Sequence, residues 1–356
     1  MKISILCHSC LSFTGTSLTR APLGGTETSV ILFAKSLRSF GHKVSVYTNI
    51  TARLDGDYYP VAELNNPSCE AYSSDVVISV RDYKALQHFQ NAKARMFWTG
   101  DSYDQPFNVG MGDKRAAKHI DLFLAVSEWH RQTLCDASGF PLEKSWVIRN
   151  GIDLSRFQNR NVQRNRKRLI YSSMPYRGFA LTPDIYSELV KVFPDIEFHA
   201  FTGFGVVQNL KNEQQVNELE STLEKLNKLP GFHYRGNVTQ DQLAIEFLKS
   251  GILFYPNTFE ETSCITAIEA MAAGCVPVTS FLGALPETIS GNGYVVAKTP
   301  GTYEYKSEFF QVCCRLLKDQ SFFDTMSENA KKHAVTYDWN NMTQNFLAEV
   351  KNRFNI

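Results

Sequence analysis

Short apolar runs alternate with helical patterns along most of this chain. Ile3–Leu6 is the first such run, and a long polar loop follows it, ending Leu23-Gly24-Gly25-Thr26-Glu27. Val30, Ile31, Ala34, Leu37 and Phe40 then share one face of a helix. That helix stops at Gly41, where a left-handed cap costs little. Further strands are predicted at His42–Tyr47, Val76–Val80, Arg95–Trp98, Leu122–Val126 and Ser145–Ile148. Between Arg160 and Arg168 the pattern lapses into a basic run, read as a solvated linker at a domain boundary. The alternation then resumes. Strands are predicted at Leu169–Ser172, Ile196–Phe201, His233–Arg235, Ile252–Tyr255 and Val276–Thr279, with helices over 213–226, 240–248 and 265–273. A turn-rich stretch follows, and Trp339, Met342, Phe346 and Val350 are spaced for a closing helix. Strands separated by helices imply right-handed crossovers and parallel sheets covered on both faces. The predicted class is therefore α/β with two doubly wound, Rossmann-like domains: residues 1–165, residues 166–336, and a tail 337–356 returning to the first. Such halves are expected to face a cleft, with ligands at the carboxyl ends of the strands.

Composition narrows the field. The chain has 356 residues, 43% hydrophobic and 21% charged, which suits two cores and excludes a disordered or fibrous protein. A net charge of +1 gives no overall attraction to nucleic acid or an anionic membrane. No apolar stretch reaches the roughly 18 residues of a membrane span, and Met1–Cys7 reads as a strand, not a signal peptide. Eight scattered cysteines, with Cys313 and Cys314 adjacent in a helical pattern, suit a reducing, cytoplasmic compartment. Cys7-His8-Ser9-Cys10 has no second ligand pair, and the histidines are dispersed, so neither metal nor redox chemistry is expected.

The stretch richest in chemistry runs from Tyr255 to Val278. A strand ends at Pro256, Thr262 and Ser263 can cap a helix, and Gly274 can end it. The helix start presents amides and a partial positive charge that suit a phosphate. Glu261 precedes the helix and Glu269 lies in its second turn. Carboxylates repel phosphate but accept bonds from the hydroxyls of sugar and ribose; both could equally be surface acids favouring a helix N-terminus. Gly24-Gly25 allows close backbone approach and positive φ, and Thr26 could cap the helix behind it. The spacing is not that of a dinucleotide fingerprint.

Glu261–Glu269 forms an E-x7-E pattern continued by Ala270-Met271-Ala272-Ala273-Gly274-Cys275-Val276-Pro277-Val278, which resembles the signature of the retaining glycosyltransferases of family four, of GT-B fold. Asn150-Gly151-Ile152-Asp153 with Phe157, Val126-Ser127-Glu128-Trp129, Gly24-Gly25 before Glu27, Gly283, Pro286-Glu287, Gly291–Val296 and the segment from Trp339 resemble further motifs of that family, in order over nearly the whole chain. The resemblance implies a metal-independent hexosyltransferase using a nucleoside diphosphate sugar, of GDP-mannose or UDP-glucose type. Glu261 would hold the donor sugar, Glu269 the ribose, and the backbone of Ser263, Cys264, Ile265 and Thr266 the diphosphate. Gly24 and Gly25 would meet the donor from the first domain. Arg177, in Ser173-Met174-Pro175-Tyr176-Arg177-Gly178, falls where the family has a cation on the diphosphate, and a guanidinium can stabilise the departing group. The chain departs from the family pattern twice. A second cation expected near Ser172–Ser173 is missing, and no His stands in Phe97–Asp104, where Asp101 takes its place with Trp98 and Tyr103 as sugar-stacking candidates.

The resemblance implies transfer with retention to a hydroxyl of a glycan, lipid or protein-linked sugar, and same-face attack is expected, in which a donor phosphate oxygen helps to deprotonate the acceptor. The expected partners are the donor and that acceptor, with no cofactor and no nucleic acid, and a homodimer is left open. A binding protein without turnover competes with this reading, and a phosphorylase or epimerase on the same scaffold is a third. Base, sugar and acceptor are not fixed by the sequence.

Overall fold

The computed structural model describes residues 1–158, 160–205 and 212–356. The chain divides into two compact units. The first comprises Met1–Leu18, Gly24–Asp153 and Tyr337–Ile356, and the second Thr19–Leu23 and Leu154–Thr336.

Among the described residues the first unit is built on a seven-stranded sheet, all of it parallel. Its strands are β1 (Lys2–Leu6), β2 (Lys43–Thr48), β3 (Tyr58–Pro60), β4 (Val76–Val80), β5 (Ala94–Trp98), β6 (Leu122–Ala125) and β7 (Ser145–Val147), in the order β3-β2-β1-β4-β5-β6-β7. The strand residues are buried almost throughout, as expected of a parallel sheet covered on both faces. The order reverses between β1 and β4, which makes that pair the switch point. β3, with only three residues and a proline, was too short for the pattern to announce.

The second unit holds a six-stranded parallel sheet: β8 (Asn165–Ser172), β9 (Glu197–Phe201), β10 (Phe232–Tyr234), β11 (Ser250–Tyr255), β12 (Val276–Ser280) and β13 (Tyr294–Val296). Its order, β10-β9-β8-β11-β12-β13, puts the switch point between β8 and β11. The stretch after β12 is more regular than its turn residues suggest. Helices Leu285–Ile289, Tyr303–Lys318 and Gln320–Ala334 follow there.

The basic run is not a linker. Its second half is the start of β8, and Lys167 and Arg168 pair with Asp195 and Glu246. Arg164 donates to the carbonyls of Ala273, Gly274 and Ser250. It thereby satisfies the end of helix Ile265–Ala272, where a cation is also favoured by the helix dipole. The long segment of the first unit closes at Asp153, ahead of the boundary expected near residue 165, and the chain rejoins that unit at Tyr337.

The closing helix, Trp339–Phe354, belongs to the first unit. Phe33 from helix Gly25–Ser39 stacks on Trp339 at 5.4 Å and meets Phe346 edge-on at 5.1 Å. Ile152 and the 337–339 turn exchange backbone bonds, and a Cβ on Gly151 would stand 2.7 Å from the Trp339 ring, so only glycine lets that turn close. Trp98 meets the same cluster, edge-on to Phe33 at 5.6 Å and only 3% exposed. It is a core residue and not the sugar-stacking surface expected of it. Phe346→Ala should cost about 3–5 kcal/mol through lost contacts and the cavity left behind. Denaturant unfolding of the full chain would read this as a lowered midpoint.

Candidate functional site

The loops following β8 and β11 meet at the second sheet's switch point, because those strands are neighbours. The β8 loop is Ser173–Gly178 and carries Arg177; the β11 loop carries Glu261. Gly178 lies at φ +97°, and a Cβ there would fall 2.1 Å from the Pro256 carbonyl, so its lack of a side chain lets the two loops touch. Gly283 acts alike on the other side. Its Cβ would be 2.3 Å from the Glu261 carbonyl, which instead accepts from the Ala284 amide at 2.7 Å. Asn257, fully buried, bonds the backbone of Phe259 through both ends of its amide. Thr266 and Thr288 hydroxyls donate to the carbonyls of Ser172 and Ser263. The backbone around Glu261 is thus fixed from several directions.

Into this frame the chain brings Arg177 and Glu261 together. Arg177 Nη1 donates to Oε1 and Oε2 of Glu261 at 2.7 and 2.9 Å. The Tyr255 hydroxyl donates to Oε1 at 2.6 Å. A carboxylate offers about four lone pairs; these contacts use both on Oε1 and one on Oε2, which leaves one open on Oε2 among the described residues. Arg177 is half-buried and lies over the Phe259 ring at 4.5 Å. Burial alone would weaken its hold on its proton, but the Glu261 charge raises it above the ordinary arginine value. Its Nε is buried without a partner among the described residues, a donor that a bound anion could take up.

Helix Ile265–Ala272 begins differently from expectation. Neither Thr262 nor Ser263 caps it. The cap position is Cys264, in left-handed geometry at φ +67° and ψ 73°, with no side-chain cap bond. A non-glycine residue held there is strained, and such strain tends to sit at functional sites. The Cys264 carbonyl accepts from the Ala267 and Ile268 amides, so the first amides of the helix, at Ile265 and Thr266, have no acceptor within it. Ser263, Cys264, Ile265 and Thr266 therefore stand at a helix N-terminus beside the Arg177–Glu261 pair.

Glu269, one turn into that helix, is buried, and its Oε1 lies 3.9 Å from Arg156 Nη1. Burial pushes its carboxyl up to about 7, and Arg156 opposes this only in part. Arg156, itself buried, escaped the sequence reading because a lone arginine carries no motif.

In the first unit, Gly24 is the N-cap of helix Gly25–Ser39, at φ −70°, so it is not in the positive-φ region and Thr26 is not the cap. A Cβ on Gly24 would meet Glu27 Oε2 at 2.4 Å, so a larger residue there would require the Glu27 carboxylate to shift. Glu27 is buried and accepts from the Leu11 amide at 3.1 Å. Asp101 follows β5 and is buried in a bidentate pair with Arg81, Oδ2 to Nε at 2.7 Å and Oδ1 to Nη2 at 2.8 Å. Thr99 donates a further bond to it at 3.1 Å. A carboxylate so engaged is not the free group expected in place of a histidine. A histidine is nonetheless present beneath it. His130 Nε2 lies 2.8 Å from the Asp101 carbonyl and its Nδ1 accepts from the Val126 amide at 3.3 Å, so the ring is neutral with its proton on Nε2. Burial lowers its pKa to about 4 against the pull of Asp101. The signal was in reach: Ser127, already singled out, caps helix Glu128–Ser138, which holds His130, by accepting from the His130 amide at 3.0 Å. Tyr103, the remaining stacking candidate, is 43% exposed.

Comparison with known proteins follows the same lines. Residues 182–333 match the family described as "Glycosyl transferases group 1". The chain is 20% identical over 314 residues to a phosphatidylinositol N-acetylglucosaminyltransferase subunit of Arabidopsis thaliana, covering 77% of this chain and 68% of that protein. It is 25% identical over 242 residues to the MMP alpha-(1->4)-mannosyltransferase of Mycolicibacterium hassiacum, covering 66% of this chain and 55% of that one. In structure it resembles Anabaena HepE, solved in complex with UDP-glucose, with a TM-score of 0.69, 16% identity and coverage of 99% and 100% of the two chains. The GT-B fold implied by the motifs is the fold the chain has. No helix among the described residues is long and apolar enough to cross a membrane.

The Glu269 environment has a stability consequence. Between its unfolded value of 4.5 and its folded value of about 7, the folded chain binds the proton more tightly. Its contribution therefore falls as pH rises through that window. Glu269→Gln should flatten the fall, leaving the variant more stable than the parent at about pH 8 by on the order of 2–3 kcal/mol, with little difference near about pH 4. Denaturant midpoints across the range measure this.

Proposed function

We propose that this chain, whose second unit carries the group 1 glycosyltransferase domain, moves a hexose from a nucleoside diphosphate sugar to a hydroxyl of a glycan, lipid or protein-linked sugar, with retention and without a metal. The observation that carries the reading is the Arg177–Glu261 pair seated against a helix N-terminus at a sheet switch point. Hydroxyl acceptor, cation and free amides stand together there, as a sugar joined to a diphosphate requires.

In this reading the diphosphate lies on the amides of Ser263–Thr266 and draws the Arg177 guanidinium, whose unpartnered Nε gains an acceptor. Glu261 takes a sugar hydroxyl on its remaining lone pair and Glu269 takes the ribose. As the anomeric bond breaks, charge grows on the leaving diphosphate, and the preorganised cation and helix dipole stabilise it more than the ground state. The acceptor enters on the face the leaving group departs from, its proton passing to a donor phosphate oxygen. A double displacement would need a nucleophilic carboxylate about 5 Å from its partner acid, and Glu261 is engaged with Arg177 and Tyr255. Asp101 serves through Arg81 and does not act as a free base. GDP-mannose, UDP-glucose and UDP-N-acetylglucosamine are the donors to test first, from the activities named for the two relatives and the ligand of the Anabaena protein.

Arg177→Ala should lower kcat about 10²–10³-fold with a smaller change in KM, because its contribution grows in the transition state. Nucleotide release during steady-state turnover measures this, and unchanged turnover in folded protein removes Arg177 from the mechanism. A binding protein without turnover would instead hold a nucleotide sugar in calorimetry and release no nucleotide.

A further inference from the structure

Tyr255 closes β11 and is fully buried, its ring edge-on to that of Tyr171 at 5.6 Å. A buried tyrosine brings its hydroxyl to a partner. Here the partner is Glu261 Oε1 at 2.6 Å, and Ser173 Oγ lies 3.3 Å from the same phenol oxygen. Burial first, and the Glu261 charge second, keep the phenol proton on Tyr255. With that single proton committed to the carboxylate, the Ser173 hydroxyl must be the donor to Tyr255.

The two side chains that hold Glu261 differ in their anchorage. Arg177 stands in a loop and is half-buried. Tyr255 is the last residue of a strand buried along its whole length and paired on both sides, to β8 and β12. When a diphosphate draws Arg177 toward itself, a carboxylate held by Arg177 alone would be drawn with it. The bond from Tyr255 resists that movement, and being charge-assisted it is strong for its kind. It also occupies Oε1, which directs the open lone pair to Oε2.

We infer that Tyr255 is a positioning residue for the donor sugar: it ties Glu261 to the end of β11, so that the carboxylate keeps its place and its free Oε2 lone pair when Arg177 turns to the diphosphate. This rests on the donor-site reading above. It assigns Tyr255 to the sugar half of the donor and not to the nucleotide half, and that division can be measured.

Tyr255→Phe removes one oxygen from a packed ring and leaves the core filled. Calorimetric titration of the full chain would compare UDP-glucose with UDP, and GDP-mannose with GDP, before and after the change. The expected result is an approximately tenfold loss of affinity for the nucleotide sugar, with affinity for the bare nucleoside diphosphate held within about twofold. A general structural role would weaken both ligands alike. Equal losses, or no loss, overturn the inference while leaving the donor site standing. Failure of the unaltered chain to bind any nucleotide sugar overturns the donor reading and the role with it. A double-mutant cycle of Y255F and E261Q in thermal unfolding reads the pair without any ligand: coupling supports the bond, and simple additivity overturns it.

Discussion

The bond between the half-buried Arg177 guanidinium and the buried Glu261 carboxylate is the interaction around which the candidate site of the second unit is arranged. Taking two charges out of water is expensive, and the expense is offset only when geometry and further hydrogen bonds are good. The surrounding sequence supplies both. Gly178 and Gly283 let backbone approach where a Cβ would collide, Tyr255 adds a donor, and Arg164 secures the far end of the helix whose start adjoins the pair. Cys264 stays in a strained conformation because the segments on either side of it are pinned. Removing Arg177 alone would leave the buried Glu261 carboxylate without its cation.

Within its own sheet, the first unit repeats this device with different residues. Arg81 and Asp101 follow the neighbouring strands β4 and β5, next to the switch point, as a buried bidentate pair. Arg81 is also held at positive φ, +61°. Neutral His130 supports the Asp101 backbone from below. Each unit thus presents an arginine at the carboxyl edge of its sheet, with its charge balanced by one carboxylate.

Much of this was legible in the sequence, for physical reasons. Strands buried on both faces read as unbroken apolar runs, and β4 is bounded as its run predicts. The segment from Tyr255 to Val278 announced a strand, a helix and two acids because each has a local signature. What stayed hidden depends on distant partners. A basic run and a structural arginine look alike until the carbonyls of Ala273 and Gly274 are seen against Arg164. Thr262 and Ser263 have the chemistry of caps, but the tie from Thr288 to the Ser263 carbonyl and the left-handed turn at Cys264 fix the backbone otherwise. Asp101 read as a free acid because Arg81 lies twenty residues earlier and joins it only across the sheet. Tyr255 read as a strand terminus, since nothing local distinguishes a tyrosine that packs from one that also holds a carboxylate.

The central claim is that a sugar joined to a diphosphate binds where Arg177, Glu261 and the start of helix Ile265–Ala272 converge. A crystal of the full chain soaked with a nucleotide sugar tests it most directly. The account predicts diphosphate oxygens within about 3 Å of the Ile265 and Thr266 amides, and a sugar hydroxyl on Glu261 Oε2. Diphosphate density elsewhere, with the Arg177–Glu261 pair untouched, would contradict it.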